Sequence, residues 1–409
     1  MTGANFSTNG WLQPDPCVSF GCASIKGAAM PHQPAAQPIR PEERILALDV
    51  LRGFAMVGVL VAYCMWNLGT TPPEAYTNAD KLLDAVASFA VDGKMYTILA
   101  FLFGLGFSIQ LGRAGDDATA VHYYRRRLAA LAAIGLAHAL LLRNGDILLP
   151  YALTGFLLIP FRHARDGVLI GAAAIALLIP DLVRFLWEAS AIPLPERPEP
   201  ANAPYLIENA VWVRYWFEIA PFTWPNNLAL FLLGFFAGRR ALLTKVAQNS
   251  RMLFSLLIGG VIAGSAFYLL RLHLLASTDL PLRRTFIGLA FTFHCWGLAS
   301  AYVAGLLLLL RASSGARRLT PLAAIGRLAL TNYLLQAVII VPLCLLFGWF
   351  DRFTPTTAFL LAAAIALFQL LFSPLWLQRF QYGPAEWLWR WLTYGRAPPL
   401  RAKSDYAPV

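Results

Sequence analysis

Asp49 and Arg52 stand three residues apart in an apolar stretch near the start of the chain, a spacing that puts both on one helix face. Arg52 lies eight residues beyond Arg44, roughly 12 Å along a helix that rises about 1.5 Å per residue. A guanidinium at that depth costs a few kcal/mol and normally faces the bundle interior. The pair reads either as a self-neutralising unit or as a clamp for an anion or a carbonyl. His138 lies eleven positions after Arg127 and eight before Asp146, about 16 Å from one boundary and about 12 Å from the other. An imidazole so placed is either a hydrogen-bonding link between helices or a neutral ring able to act as a general base. Arg52 reaches a similar depth on another helix, so Asp49, Arg52 and His138 are expected in one polar cavity. Arg143 and Asp146, in the turn Arg143-Asn144-Gly145-Asp146, are expected at its outer mouth. The alternative for that turn is an exposed hairpin with a weak ion pair.

Other polar residues carry a weaker signal. Thr331, Asn332 and Gln336 place amides at i and i+4, which suits either interhelical hydrogen bonds or an acceptor-binding surface. Phe293-His294-Cys295-Trp296 offers a second His with the same ambiguity as His138, and Asp92-Gly93-Lys94 breaks an apolar run. The Arg125-Arg126-Arg127 run reads first as cytoplasmic charge and second as a seat for the phosphates of a cofactor. Cys17 and Cys22 have no nearby His or further Cys, and Cys64, Cys295 and Cys344 lie in apolar runs, so neither a metal site nor a disulfide framework is expected. The sequence has no Gly-Lys-Ser/Thr phosphate loop, no His-Glu-x-x-His, no Gly-x-Ser-x-Gly and no Cys-x-x-Cys, which leaves ATP-driven transport and serine hydrolysis without support.

The elements that must position these residues follow from composition. The 409 residues are 58% hydrophobic and 13% charged, with a mean hydropathy of +0.57; a soluble domain carries roughly 25% charged residues. The apolar residues come in long runs with short basic breaks, which describes helices solvated by lipid and excludes a soluble enzyme. The net charge of +11 is spread over those breaks, so it marks topology rather than nucleic-acid binding. Taking about 20 apolar residues per span, ten segments are expected: Ile45 to Leu68, Leu83 to Leu111, Leu128 to Leu142, Ile147 to Phe161, Val168 to Trp187, Phe222 to Gly238, Met252 to Leu275, Phe286 to Leu310, Leu322 to Phe350 and Thr356 to Leu377. The fold class is thus all-α, a polytopic membrane bundle of about ten transmembrane helices with both termini cytoplasmic. Arg271, Arg283 and Arg284 dissent, since they fall on the outer side. Residues 1–40 read as a disordered cytoplasmic tail and 41–379 as the bundle. Within it, the Pro-rich stretch 188–221 reads as a stiff external lid. Residues 380–409, with Trp387, Trp389, Arg390 and Trp391, read as a cytoplasmic interfacial helix and tail.

Several motifs in order carry a family resemblance: Asp49-Val50-Leu51-Arg52-Gly53-Phe54-Ala55, Leu102-Phe103-Gly104-Leu105-Gly106, Gly135-Leu136-Ala137-His138 followed by Gly145-Asp146-Ile147-Leu148-Leu149 and Tyr151, the run from Gly326 to Gln336, and the run from Gly383 to Arg390. From about Arg44 to Arg396 the chain resembles the YeiB family of bacterial membrane proteins. The start of that family is similar to lysosomal heparan-glucosaminide N-acetyltransferase and, more remotely, to membrane-bound sugar O-acyltransferases, whose architecture is a ten-helix bundle. Tyr63 departs from the pattern, which has Asn late in the first helix. The resemblance implies an inner-membrane acyltransferase that moves an acyl group, acetyl above all, from cytoplasmic acyl-CoA to a small-molecule or glycan acceptor at the outer face. In that reading His138 is the general base, Arg52 stabilises the oxyanion and Asp49 orients it. Arg143, Asp146, Asn332 and Gln336 hold the acceptor, while Arg125, Arg126 and Arg127 hold the CoA phosphates, with no metal. The lipid bilayer is the expected surrounding, nucleic acid is not a partner, and a homodimer is compatible with the sequence. The competing class is a transporter or channel for a small anion or lipid, built on the same intramembrane charges.

Overall fold

The computed structural model describes residues 46–401 apart from 69–70, 115–117, 143–145, 191–194, 196–197, 199–203, 278–282, 313 and 351. Those residues form α1 (Leu46–Asn67), α2 (Asn78–Ala90), α3 (Lys94–Ala114), α4 (Ala118–Leu141), α5 (Leu148–Leu158), α6 (Asp166–Ala189), α7 (Tyr205–Glu218), α8 (Ala220–Arg239), α9 (Leu242–Gln248), α10 (Ser250–Ala276), α11 (Arg283–Arg311), α12 (Gly315–Arg327), α13 (Ala329–Phe347), α14 (Pro355–Arg379) and α15 (Pro384–Tyr394). Among the described residues the only β pairing outside the helices is an isolated bridge between Phe380 and Arg401. Capping residues set several boundaries. Thr77 and Asp80 exchange side-chain and backbone bonds at the start of α2, and Thr354 and Thr357 do so at the start of α14, each a reciprocal capping box. Gly348 and Gly395 stop α13 and α15 at φ +62° and +72°, left-handed values that glycine adopts without a steric cost.

By length and composition, seven stretches can cross a membrane: α1, α2 with α3, α6, α10, α11, α13 and α14. The pair α7 and α8, bent by 68°, makes an eighth if it is one span. The chain is a multi-pass membrane protein. Each of the ten expected segments contains helix, but three differ from expectation. The third falls in α4, which carries Arg125, Arg126 and Arg127 within it, and the fourth falls in α5, which has only 11 residues; neither reaches the apolar length of a span. The ninth breaks at Leu328 into α12 and α13. The expected extended lid is also corrected in its second half, because Tyr205 to Glu218 contains no proline and forms α7.

The buried apolar clusters centre on α1 and on the α3–α8 pair, while α10 makes its main contact with α11. A Cβ on Gly104 would sit 1.9 Å from the Phe231 carbonyl oxygen, so the α3 and α8 backbones are in contact there. Gly106, two residues further along α3, faces open space. At the other seam, a Cβ on Gly326 of α12 would meet the Asp49 carbonyl oxygen of α1 at 1.9 Å. The backbone N–H just past α1, at Thr71, donates to Phe353 O at 2.9 Å. By contrast, α10 turns Ile258, Ile262 and Leu269 outward, the surface expected of a helix against lipid. Short α7 docks on the end of α4: the Tyr205 hydroxyl donates to Leu142 O, and buried Asn209 donates to Leu140 O at 3.1 Å, satisfying carbonyls that a helix end leaves free.

Candidate functional site

His138 sits in the last turn of α4, facing the hairpin that leads into α5. Gly135 permits this approach, since a Cβ there would lie 2.6 Å from the Leu149 nitrogen and 2.7 Å from Asp146 Oδ2. Asp146 works at the start of α5 as a cap would, accepting the Leu149 N–H at Oδ2 (2.7 Å). Its Oδ1 accepts the Tyr333 hydroxyl at 3.2 Å and lies 3.1 Å from His138 Nδ1. The His138 and Asp146 side chains are 2% and 3% exposed. The imidazole meets the carboxylate obliquely, so the contact is close without being a linear hydrogen bond, and Nε2 has no hydrogen-bond partner among the described residues. The Tyr333 hydroxyl in turn accepts the Ile147 N–H at 3.1 Å, and its ring lies 4.9 Å from the His138 ring. A carboxylate beside one imidazole nitrogen with the other left unbound is an arrangement suited to taking up a proton.

Asp49 and Arg52 pair with each other at 2.9 Å, but they do not join His138. Arg52 acts electrostatically on Arg127, one third of the way along α4, and Arg127 is eleven residues, about 16 Å, from His138. On α1 it is Tyr63, eleven residues beyond Arg52, that comes within electrostatic reach of Tyr333. The shared cavity expected for Asp49, Arg52 and His138 is therefore corrected to two levels. The cause is the reference point: α4 begins at Ala118, well before Arg127, so Arg127 marks the level of Arg52 and not a boundary. Asp146, expected at the outer mouth of that cavity, contacts His138 directly. Arg143 lies outside the described residues.

The two amides hold helices together. Asn332 Nδ2 donates to Ile325 O (3.3 Å) and Ser373 Oγ (3.1 Å), Gln336 Nε2 donates to Gln369 Oε1 (3.2 Å), and Gln369 Nε2 donates to Asn332 O (3.0 Å). These bonds tie α12, α13 and α14 through the amide nitrogens. The arginine run divides. Arg126 donates to Leu392 O (3.0 Å), Arg127 donates to Gln110 (3.0 Å) and lies 4.4 Å from the Trp389 ring, whose Nε1 donates back to Arg127 O (2.9 Å). Arg125 is exposed and lines an open cleft of about 600 Å³ with Thr119, His122, Tyr123 and Arg162.

Three features escaped the sequence reading. Tyr333 is one, hidden in an apolar run. The second is a clasp between the starts of α13 and α15: Glu386 accepts the Thr331 N–H (3.0 Å) and hydroxyl (2.5 Å), and Thr331 Oγ1 accepts the Ala385 N–H (3.1 Å). Burial pushes the Glu386 carboxyl above the usual carboxylate range, against the Thr331 bonds that pull it down. The third is a charged cluster at the α2–α3 break. Lys94 is fully buried and donates to Ser88 O at 2.8 Å, Asp92 acts on it, and Arg271 lies 4.8 Å from the Phe291 ring that Lys94 also faces at 5.8 Å. The break Asp92-Gly93-Lys94 and the misplaced Arg271 were the two signals for it. Arg283 caps the end of α10, donating to Leu274 O (2.7 Å) and Leu275 O (2.6 Å). The dissenting arginines thus have structural partners. His294 Nδ1 lies 2.8 Å from Gly264 O, with the ring against Phe89 and Tyr268, an interhelical link. Among the described residues no group of three or more His, Cys, Asp or Glu could hold a metal.

Residues 237–396 match DUF418, a family described as proteins of unknown function. The chain is 30% identical over 383 residues to an uncharacterised 39.9 kDa protein from the amylase 3′ region of Bacillus acidopullulyticus, covering 90% of this chain and 99% of the relative. It is 28% identical over 412 residues to the uncharacterised protein YxaH of Bacillus subtilis strain 168, covering 90% and 98%. Against the uncharacterised protein YeiB of Escherichia coli K12 it is 28% identical over 419 residues, covering 89% and 100%.

Proposed function

The chain belongs to the YeiB family, and from that premise we propose that it is an acyltransferase of the bacterial inner membrane. It takes an acyl group, acetyl above all, from cytoplasmic acyl-CoA and delivers it to a hydroxyl or amine of an acceptor at the outer face, such as a sugar or an envelope component. One observation carries this reading: the buried contact of His138 Nδ1 with Asp146 at 3.1 Å, beside an Nε2 that has no hydrogen-bond partner among the described residues. Asp146 is anchored by Leu149 N–H and the Tyr333 hydroxyl, so the carboxylate fixes the ring and stabilises it once protonated. His138 Nε2 removes the acceptor proton as the acceptor oxygen or nitrogen attacks the thioester carbonyl. The donor supplies the activated carbonyl and a thiol leaving group. Its phosphates belong at the Arg127 end of α4, one long arm away from His138. Arg52 does not reach His138, so it is not assigned to the oxyanion.

The transport reading also has an observation behind it, since fully buried Lys94 with Asp92 and Arg271 at a helix break resembles the charges that line membrane pathways. One experiment separates the two. Purified protein given labelled acetyl-CoA and an amine or sugar acceptor releases free CoA, and His138→Ala lowers the rate by about 10² to 10⁴ while leaving the fold intact. A drop of only a few-fold overturns the base assignment. Anion flux in proteoliposomes that Lys94→Met abolishes, without CoA release, moves the function to transport.

A further inference from the structure

Four arginines from four helices converge where α1 begins. Arg52 of α1 is paired with Asp49 at 2.9 Å. Arg127 of α4 feels both Arg52 and Arg390 of α15. Arg327, the last residue of α12, has Asp49 and Tyr382 as electrostatic neighbours, and the Arg390 guanidinium stacks 4.5 Å from the Tyr382 ring. The backbone fixes this meeting, because Gly326 of α12 touches the Asp49 carbonyl and Gly53 of α1 touches the Leu322 carbonyl.

Among the described residues charge is not balanced there. Asp49 is already bound to Arg52, and Glu386 is taken up by Thr331 and the start of α13. All four arginines are half-buried, and Arg327 Nε is buried without a hydrogen-bond partner among the described residues. Arginines that only mark topology look different: Arg317 and Arg318 on the same α12 are exposed. Partly desolvated like charges are unfavourable unless an anion joins them, and guanidinium forks match phosphate oxygens in pairs.

We propose that Arg52, Arg127, Arg327 and Arg390 form the seat of a phosphate-bearing ligand. In the acyltransferase reading, on which only the ligand's identity rests, the seat takes the diphosphate of the donor, and α4 spans the distance to the thioester: Arg127 and His138 lie about 16 Å apart along it. An anionic lipid headgroup offers the same chemistry, so the test has two arms. Full-length protein in phosphatidylcholine nanodiscs is titrated calorimetrically with inorganic pyrophosphate, and protein in phosphatidylglycerol nanodiscs is tested for retained lipid by native mass spectrometry. Saturable pyrophosphate binding is expected, weakened at least about tenfold by Arg327→Gln or Arg390→Gln, the loss typical of a charge-assisted bond. Arg327→Lys should weaken it several-fold, and Arg318→Gln should leave it unchanged. Circular dichroism and size-exclusion profiles identify any variant that fails to fold, and the remaining arginine variants then decide. Retention of phosphatidylglycerol that Arg327→Gln removes, without pyrophosphate binding, supports the seat with a headgroup as its occupant. Binding of neither ligand, or binding that both Gln variants leave unchanged, overturns it. Pyrophosphate binding without CoA release supports the seat and removes the acyltransferase; CoA release without either ligand bound does the reverse.

Discussion

Removing the Glu386 carboxylate should loosen the hold of α15 on the bundle, and the size of the effect follows from the bonds it makes. Glu386 is 8% exposed and accepts the Thr331 N–H at 3.0 Å and the Thr331 hydroxyl at 2.5 Å. Glu386→Ala strands both donors in a buried place, at about 1 to 3 kcal/mol for an unsatisfied group. It also removes an anion from the start of α13, worth roughly 0.3 to 1 kcal/mol. Allowing for water reaching the vacated space, the total is about 2 to 4 kcal/mol. Glu386→Gln keeps the shape and one acceptor oxygen, so roughly 1 kcal/mol is expected. Thr331→Val removes the hydroxyl contact from the other side and frees the Ala385 N–H as well, while the N–H at position 331 keeps its bond to Glu386. Because both partners belong to one network, the double variant should show a coupling of at least about 1 kcal/mol. Reversible unfolding in mixed detergent micelles measures these values, and hydrogen exchange should place the loss in α15 and the first turn of α13. A loss below about 0.5 kcal/mol for Glu386→Ala, or strict additivity with Thr331→Val, would show that α15 is held by its Trp389 and Arg126 contacts instead.

Three further outcomes are expected. Burial holds the Glu386 carboxyl above the usual range, so the folded state keeps the proton longer than the unfolded chain. Stability should therefore be highest below the ordinary Glu pKa and fall as pH rises through the raised folded value. The melting temperature of Glu386→Gln should lack that decline, and equal pH profiles would refute the linkage. Tyr333→Phe removes the hydroxyl that donates to Asp146 and accepts from Ile147; CoA release should drop at least about tenfold with acceptor KM less affected, whereas an unchanged turnover number would detach Tyr333 from the dyad. Reporter fusions after Arg401 should report cytoplasm and those at Pro200 the outside, and a cytoplasmic signal at Pro200 would overturn the proposed orientation.

Much of the helical pattern was legible because lipid imposes a simple rule, long apolar runs for spans and arginines for breaks. The residues left open were those where neighbours decide. Asn332 and Gln336 look alike as free amides or as helix links until Ser373 and Gln369 are seen opposite them. Arg52 and His138 were placed at one depth by counting from arginines, a method that works only when the arginine ends its helix. Arg127 does not, because α4 continues beyond it to Ala118. His138 and Asp146 could be linked because a short hairpin keeps them close in sequence. Tyr333, 187 residues from Asp146, had no such cue.

The seam between α1 and its neighbours bears on how the protein is made. α1 leads the bundle, yet it packs against α12 and α14, and the bond from Thr71 to Phe353 joins residues 282 apart. Contacts so distant in sequence form late, after nearly the whole chain has been synthesised. Throughout that interval the Arg52 guanidinium is without Arg327, Arg390 and the other late-arriving helices. Asp49, three residues away on the same helix face, is available from the moment the first turns of α1 form. The ion pair is thus a local device, a counter-charge that α1 carries with it into the bilayer before its final companions exist.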